Sequence, residues 1–536
     1  MRANQARIMV RLEDPARVGR AGQAVAALGN DATGAPWRLV PFAGDGGARV
    51  FMVIGQVGHR IGTPEHAKAS NEAALLLKDA GVFSRVEADL PVPAFGTPEP
   101  DRVASFGQEH QHRPGTQNMR WAHDAMRVRE AWALPLPPGG RSRGEGIRIG
   151  HPDSGYTDHP RLGMSALDLA SDRDVISEDE DARDPLVPAE DSWWPFPNPG
   201  HGTSTASVIV GRGIDATGIV GVAPAAKLVP IRATESVIQL FDSDVAQAVE
   251  HARTHDCHVV SMSLGGKGFF GLEDAIERAV NDGLIVMAAA GNKVGFVTAP
   301  ASYEHCIAVA GVGIGDTMWS GSSRGDAVDV SAPAECVHVA SFDWSKRPPA
   351  RIVDRSHGTS FAVTHLAGVA ALWLAHHGRA ELIRRYGKPF IQDVFIHLVC
   401  SAGSRRPAIW DERWGCGIVD AERLLRAPLP ARDAVSPRLR AAPTVPAAAQ
   451  RIAALLPELA PQDAAARLEE VLGASGRKLE RRLERFEGEL VYLVLSDEHF
   501  RELFVGRTRP AERVAAATPS PPPAASGELA SLLASG

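Results

Sequence analysis

Residues 258–292 read HVVSMSLGGKGFFGLEDAIERAVNDGLIVMAAAGN. Two short apolar runs, HVVSMSLGG (258–266) and LIVMAAAGN (284–292), each end in small residues. Between them LEDAIERAVNDG (272–283) carries apolar residues at helical spacing. Strand, helix and strand in this order make a βαβ unit, and two apolar strands so joined imply a buried parallel sheet. The pattern repeats outward. IRIGHPDSG (147–155), KLVPIRA (227–233) and CIAVAGVG (306–313) are further apolar runs with small or polar ends, and DSDVAQAVEHARTH (242–255) is a further helix. From about Gln117 to Ala427 the chain therefore predicts an α/β domain, a parallel sheet with helices on both faces. Functional groups are expected at the carboxyl ends of its strands.

The flanks have other patterns. ARIMVRLED (6–14), WRLVPF (37–42), ARVFMVIGQ (48–56) and FSRVEADLPV (83–92) are rich in Val, Ile and Phe, as strands are. RVGRAGQAVAALG (17–29) and EHAKASNEAALLLKDAG (65–81) have helical spacing. The order β-α-β-β-α-β predicts a ferredoxin-like α+β unit over residues 1–95. Residues 96–116, rich in Pro, Gly, His and Gln, read as a linker. After the α/β domain of 117–427, residues 428–450 read as an Ala/Pro-rich linker. Residues 451–510 read as a small accessory α+β segment, with LVYLVL (490–495) as its strand. The low-complexity stretch 511–536 reads as a disordered tail.

The length of 536 residues exceeds what one core ordinarily holds. A net charge of -7 spread along the chain gives no case for nucleic acid as a partner. No uninterrupted apolar run reaches the roughly 20 residues that span a bilayer, so no membrane partner is expected. The N-terminal MRANQARIMVRLEDPARVGR lacks the apolar region of a secretory signal, so the expected location is cytoplasmic, with secretion by an unconventional route as the alternative. Cys257, Cys306, Cys336, Cys400 and Cys416 lack CxxC spacing; buried free thiols are expected, with neither a structural zinc site nor a dense disulfide framework.

Four segments bear groups that acyl transfer needs: a nucleophile, a base, an orienting carboxylate and an oxyanion donor. In HPDSGYTDHP (151–160), Asp153 ends an apolar strand before a turn. In HGTSTASVIVG (201–211), His201 opens a helix with a face of small residues. In LIVMAAAGN, Asn292 follows a strand on a tight loop, where its amide can aim into a site. In SHGTSFAVTHLAGVAALWLA (356–375), Ser360 starts a long apolar helix whose N-terminus favours developing negative charge. Taken singly, each segment is equally at home as a turn or a helix cap.

Together the four resemble the subtilisin-like serine proteases, the subtilases. The order Asp, His, Asn, Ser is the family order, and 48 residues separate Asp153 from His201 as the family spacing requires. The resemblance extends across about 118–427. Ser263-Leu264-Gly265-Gly266 looks like the substrate-binding strand, Ala299-Pro300-Ala301 and SSRGDAVDVSAPA (322–334) fall at family segments, and GCGIVDAERLL (415–425) resembles the closing motif. The resemblance implies a serine endopeptidase with Ser360 as nucleophile, His201 as base and acid, Asp153 orienting His201, and Asn292 in the oxyanion hole. Substrates would be proteins or peptides, bound along Ser263–Gly266, Ala290 and Gly291. It further implies that residues 1–95 are a propeptide, inhibiting the site until self-cleavage within 96–116; the alternative is a permanent N-terminal domain.

The sequence departs from the pattern twice. Thr364 stands where the family has Pro after the nucleophile, and His151-Pro152 replaces an apolar pair before Asp153, which either places a second imidazole near Asp153 or merely alters the strand end. No cofactor is certain. Several subtilases bind calcium, and Asp172, Asp174, Asp179 or Asp181 in SDRDVISEDEDARD (171–184) could serve, although the spacing matches no defined calcium loop and a solvated acidic loop fits as well. Lys293, beside Asn292, would favour an acidic substrate residue if it reached the site's rim; an apolar preference is expected before the scissile bond. The competing readings are a catalytically silent subtilase-like binding protein, an esterase or peptide transferase using the same acyl-enzyme, and a narrow regulatory protease.

Overall fold

The computed structural model describes residues 4–42, 49–91, 118–191, 197–213, 220–237, 241–293, 296–435, 447–456, 459–505 and 521–535. The expected linker 96–116 and its cleavage site lie outside them, as do residues 436–446 of the second linker.

The N-terminal unit comprises β1 (Gln5–Arg11), α1 (Val18–Ala26), β2 (Arg38–Pro41), β3 (Val50–Gln56), α2 (Pro64–Asp79) and β4 (Arg85–Ala88). Its antiparallel sheet has the order β2-β3-β1-β4, a ferredoxin-like arrangement. The register sets Ile8 against Val53 and Val10 against Phe51 on one face, and Met9 against Met52 on the other. The first set packs with α1 and α2, while Met9, Val50 and Met52 join the core of the following domain. Both faces are therefore buried, which explains why these strands read as near-continuous apolar runs.

The central domain carries β5 (Arg148–Asp153), β6 (Arg173–Asp174), α3 (His201–Val210), β7 (Lys227–Arg232), α4 (Asp242–Thr254), β8 (Val259–Met262), α5 (Phe270–Asn281) and β9 (Ile285–Ala289). It continues through β10 (Ile307–Val312), β11 (Val330–Pro333), the hairpin β12 (Val337–Asp343) and β13 (Ala350–Ser356), α6 (Thr359–His377), β14 (Ser404–Arg405) and β15 (Ile418–Val419). The nine-stranded sheet has the order β14-β15-β11-β10-β9-β8-β5-β7-β6. Every pair is parallel except β14 with β15. From β5 the chain moves to β7 on one side and then returns to place β8 on the other. The sheet thus switches direction at β5 and β8, and a crevice opens beyond their carboxyl ends. The core helix α6 is long and apolar enough to cross a bilayer by length and composition, yet it is wholly buried in the protein.

Three expectations are corrected here. First, the C-terminal region is helical where described: α7 (Ala447–Leu455), α8 (Pro461–Leu472), α9 (Gly476–Ser496) and α10 (Glu498–Val505). LVYLVL lies inside α9, not in a strand; Leu490 through Leu495 are buried all round, which erases the helical alternation that Leu479, Leu483 and Phe486 still show. Secondly, part of the supposed disordered tail folds as α11 (Gly527–Ser535), with Ala524, Ala525 and Leu529 in the same core as the N-terminal unit. Its start is fixed by Glu489, which accepts hydrogen bonds from the amide and hydroxyl of Ser526. Thirdly, Cys400 and Cys416 form a disulfide, while Cys257, Cys306 and Cys336 are buried thiols as expected. The short β14–β15 ladder (Ser404 opposite Val419) folds the chain back just beyond Cys400, bringing two cysteines without motif spacing to a Cα separation of 5.2 Å.

Candidate functional site

The crevice is built from tight approaches. Asp153 closes β5, and Gly155 follows at φ 102°, where an added Cβ would stand 2.3 Å from the Ala182 carbonyl oxygen. A Cβ on Gly202 would stand 2.1 Å from the Gly155 carbonyl oxygen. D-S-G and H-G are thus the sequence cost of seating the first turn of α3 directly on the end of β5.

That seating puts His201 Nδ1 2.7 Å from Asp153 Oδ1. A carboxylate accepts, so Nδ1 carries the proton and Nε2 of the neutral ring is left with its lone pair. Asp153 also accepts from the Ser154 amide at 2.7 Å and from the Thr205 hydroxyl at 3.2 Å. Burial pushes the Asp153 carboxyl up. The His201 and His151 imidazoles and the Ser154 amide outweigh it and hold the group below the usual carboxylate range.

Ser360 lies in the first turn of α6, where backbone N–H groups have no intrahelical acceptor. Its hydroxyl is turned to the Ser263 carbonyl at 3.4 Å, not to His201, and the Ser263 hydroxyl donates to the Ser360 carbonyl at 3.1 Å. Asn292 Oδ1 accepts from the Thr359 amide at 2.9 Å and from its hydroxyl at 2.8 Å. An amide N–H can only donate, so Oδ1 is identified and Nδ2 is the free donor end, on the side of Gly358. The Gly291 amide donates to the same Thr359 hydroxyl at 3.3 Å. The structure therefore brings Asp153 to His201 directly, Asn292 to the Ser360 helix through Thr359, and Ser263 to Ser360.

The expected substrate strand is internally paired. The Gly265 amide donates to Val237 at 3.0 Å and the Gly266 amide to Ala299 at 2.8 Å, while Leu264 and Ala290 are buried. Thr298 packs over Gly265 and donates its amide to the Ala290 carbonyl at 3.0 Å. Lys293 is exposed beside Asn292. The Thr364 hydroxyl bonds back to the Ser360 carbonyl at 3.1 Å, so the residue in place of proline still serves the nucleophile's turn.

Several site residues were not read from the sequence. Thr205, on α3 one turn past His201, links His151 to Asp153: its hydroxyl lies 2.9 Å from His151 Nε2. His151, for which the sequence left open a second imidazole near Asp153 or a mere change of the strand end, has Nε2 3.6 Å from Asp153 Oδ2; it is 2% exposed, and burial holds its pKa below the ordinary imidazole value despite the attraction of Asp153. Asp184, the last of the acidic run, accepts from the Ser154 hydroxyl at 2.7 Å and the Gly200 and Leu186 amides at 2.6 and 2.9 Å, pinning both loops that carry Asp153 and His201. Only the alternation of that run with apolar residues hinted that one carboxylate turned inward.

The calcium candidates do not form a cage. Asp174 pairs with Arg232 at 2.6 Å and caps Ile176 and Ser177, Asp172 accepts from the Ala182 amide, and Asp179 from the Asp181 amide. Among the described residues no group of three or more His, Cys, Asp or Glu could hold a metal ion. These carboxylates do not fit a calcium ion in this arrangement.

A parallel α/β sheet with a histidine–carboxylate pair at its switch point, on a helix packed against the one that Ser360 starts, defines a class of hydrolase-like sites. The comparisons give the family: residues 144–415 match the model of the Subtilase family, and the chain belongs to that family. Thermitase of Thermoactinomyces vulgaris is 38% identical over 183 residues, covering 34% of this chain and 63% of thermitase. An extracellular protease of Xanthomonas campestris pv. campestris is 29% identical over 335 residues, 58% of this chain and 54% of that protein. Subtilisin E of Bacillus subtilis is 34% identical over 183 residues, 33% of this chain and 46% of that protein. The chain thus spans less than two thirds of the length of each of these relatives. Among solved structures, fervidolysin from Fervidobacterium pennivorans, a keratinolytic enzyme related to subtilisin, shares the fold at a TM-score of 0.54. It is 23% identical, with 80% of this chain and 62% of that one covered.

Proposed function

We propose that the chain is a serine endopeptidase that cleaves proteins or peptides through an acyl-enzyme on Ser360. The observation that carries this reading is the 2.7 Å pairing of His201 Nδ1 with buried Asp153, which fixes the tautomer a general base requires. In this reading substrate binding turns the Ser360 hydroxyl away from the Ser263 carbonyl, 3.4 Å off, and toward His201 Nε2, the base of the pair. The hydroxyl oxygen attacks the scissile carbonyl carbon as Nε2 takes the proton. The oxyanion forms against Asn292 Nδ2 and the Ser360 amide, whose orientations are already set by Thr359 and the helix start. His201 then gives its proton to the leaving amine, and water reverses the sequence to free Ser360. An extended substrate would pair along Ser263–Gly266, displacing the Val237 contact, with a broad preference for an apolar residue beside Ala290 and Gly291.

In the same reading, residues 1–95 act as a propeptide that is cut from the rest of the chain by self-cleavage within 96–116. The test follows chain mass with time and labelling by a fluorophosphonate in wild type and Ser360→Ala. Labelling and trimming in wild type alone are expected. A folded wild type that neither labels nor trims would overturn the reading in favour of a silent binding protein, and labelling without trimming would make the N-terminal unit permanent.

A further inference from the structure

We propose that the C-terminal helices clamp the N-terminal unit onto the subtilase domain, so that cutting the connector leaves a stable two-piece protein, not a released propeptide. The connector, residues 92–117, joins the two units; α7 to α11 come from the other end of the chain. Yet the N-terminal unit and the C-terminal helices share one core. Ile8, Val10, Phe51, Val53, Leu77 and Val86 cluster with Ile452, Leu468, Phe486, Leu490, Phe500 and Phe504. Helix α9 packs on α2 and β4. The opposite face of the same sheet, through Met9, Val50 and Met52, packs with Phe269, Phe270, Val245 and Val249 of the subtilase domain. The unit is held between two apolar surfaces, and its departure would expose both.

The polar contacts tie all three parts at one point. Arg451 on α7 donates to Glu87 of the N-terminal unit at 3.1 Å, to Glu487 on α9 at 3.1 Å and to the Gly268 carbonyl of the subtilase domain at 2.8 Å. Lys267 approaches Glu87 at 3.9 Å and Asp242 at 3.7 Å. Next to them, Asp89 accepts from the amides of Asp242 and Ser243 at the start of α4, and Arg7 pairs with Asp244 at 2.7 Å. On the outer side, Lys78 donates to the Glu484 carbonyl at 3.2 Å, and Arg485 bridges Asp79 at 2.7 Å and Glu528 at 2.6 Å. Gly488 lets α9 approach closely: a Cβ there would stand 2.7 Å from Glu87 Cγ.

The inference uses the propeptide reading only for its consequence, because the cut can be made by an unrelated protease. A recognition site for that protease is placed within 96–116 in the full-length Ser360→Ala chain, the protein is cut, and native size-exclusion chromatography and fragment dissociation are followed. The N-terminal fragment is expected to co-elute and to separate only in denaturant. Gly488→Leu wedges α9 away from Glu87 while removing a mid-helix glycine, so the helix itself is not weakened. Arg451→Met removes the three-way contact. Each is expected to release the fragment at least tenfold faster from a remainder that stays folded by circular dichroism. A fragment that elutes alone from the otherwise unaltered chain overturns the clamp, as does retention in both variants equal to that of the parent. Wild type that fails to label or trim would refute the protease reading and leave this result standing.

Discussion

His151 offers a sharp test of how the site is charged. It is buried under Asp153, with Nε2 3.6 Å from Asp153 Oδ2 and 2.9 Å from the Thr205 hydroxyl oxygen. The hydroxyl has one proton, and three acceptors surround it: the His201 carbonyl at 3.0 Å, the Gly202 carbonyl at 3.2 Å and Asp153 Oδ2 at 3.2 Å. If that proton serves any of these oxygens, His151 must donate Nε2–H into the hydroxyl oxygen, and burial, which lowers its pKa, favours the neutral ring. Replacing His151 by valine then removes one neutral hydrogen bond, about 0.5–1.5 kcal/mol, or roughly a twofold to tenfold fall in kcat/KM if all of it supports the reaction. The charged alternative differs by much more. An imidazolium at 3.6 Å would favour the Asp153 carboxylate by on the order of 4 kcal/mol at an effective dielectric of 20. Its loss would let Asp153 hold the His201 imidazolium more strongly and move the acid limb upward. The assay is kcat/KM against pH on a fluorogenic peptide for wild type and His151→Val. We expect the acid limb to stay in place and activity to fall by no more than about tenfold. An acid limb displaced by a full pH unit or more would refute the neutral assignment.

Asn292→Ala removes the donor fixed by Thr359; kcat should fall roughly 10²–10³-fold with KM little changed, the scale known from the corresponding kind of asparagine in a subtilisin. Steady-state kinetics on the same peptide decide it. Asp184→Ala leaves the Gly200 and Leu186 amides and the Ser154 hydroxyl without their acceptor, each worth about 1–3 kcal/mol when buried. A lower Tm and weakened activity are expected, and a Tm at or above that of wild type would show that burial of this carboxylate outweighs its hydrogen bonds. Asp242, covered by the N-terminal unit, is pushed up to about 7 by burial and by the neighbouring Asp89 and Glu87, against the pull of Lys267. Its docked pKa lies above the ordinary 3.8, so its contribution to docking is complete below about pH 4 and is lost as pH rises through about 7. Retention of the cut N-terminal fragment should therefore weaken between about pH 4 and 7, and Asp242→Asn should flatten that dependence.

The sheet was legible because its strands are buried on both faces, so that runs such as LIVMAAAGN stand out against amphipathic helices. The meeting of Asp153 with His201 was also foreshadowed, since Gly155 and Gly202 mark where backbone must touch backbone. The same burial that made strands visible hid α9: LVYLVL has no polar side to betray its period, and a six-residue apolar run is helix or strand by length alone. Alanine and proline in 517–536 suggested disorder, because composition cannot show that Glu489, far off in sequence, supplies the cap at Ser526. Thr205 and Asp184 were missed for a related reason. Their roles come from which way a hydroxyl or carboxylate turns, and nothing in T-x-S or A-R-D spacing states that.

The contacts at Arg451 bear on the order in which the chain completes itself. An N-terminal unit that folds ahead of the rest must bury its sheet on one face against α4 and α5 and on the other against α1 and α2. Here that second layer is completed by α9, residues 476–496, which packs on α2 and β4 only after it has folded back across the whole subtilase domain. Such pairing of distant segments is entropically slow. Until it forms, Glu87 has Lys267 near it at 3.9 Å but lacks the Arg451 contact at 3.1 Å, and α2 and β4 lack their packing against α9. A chain truncated after residue 435 should therefore dock its N-terminal unit less firmly than the full chain, even though every contact of that unit with the subtilase domain is retained.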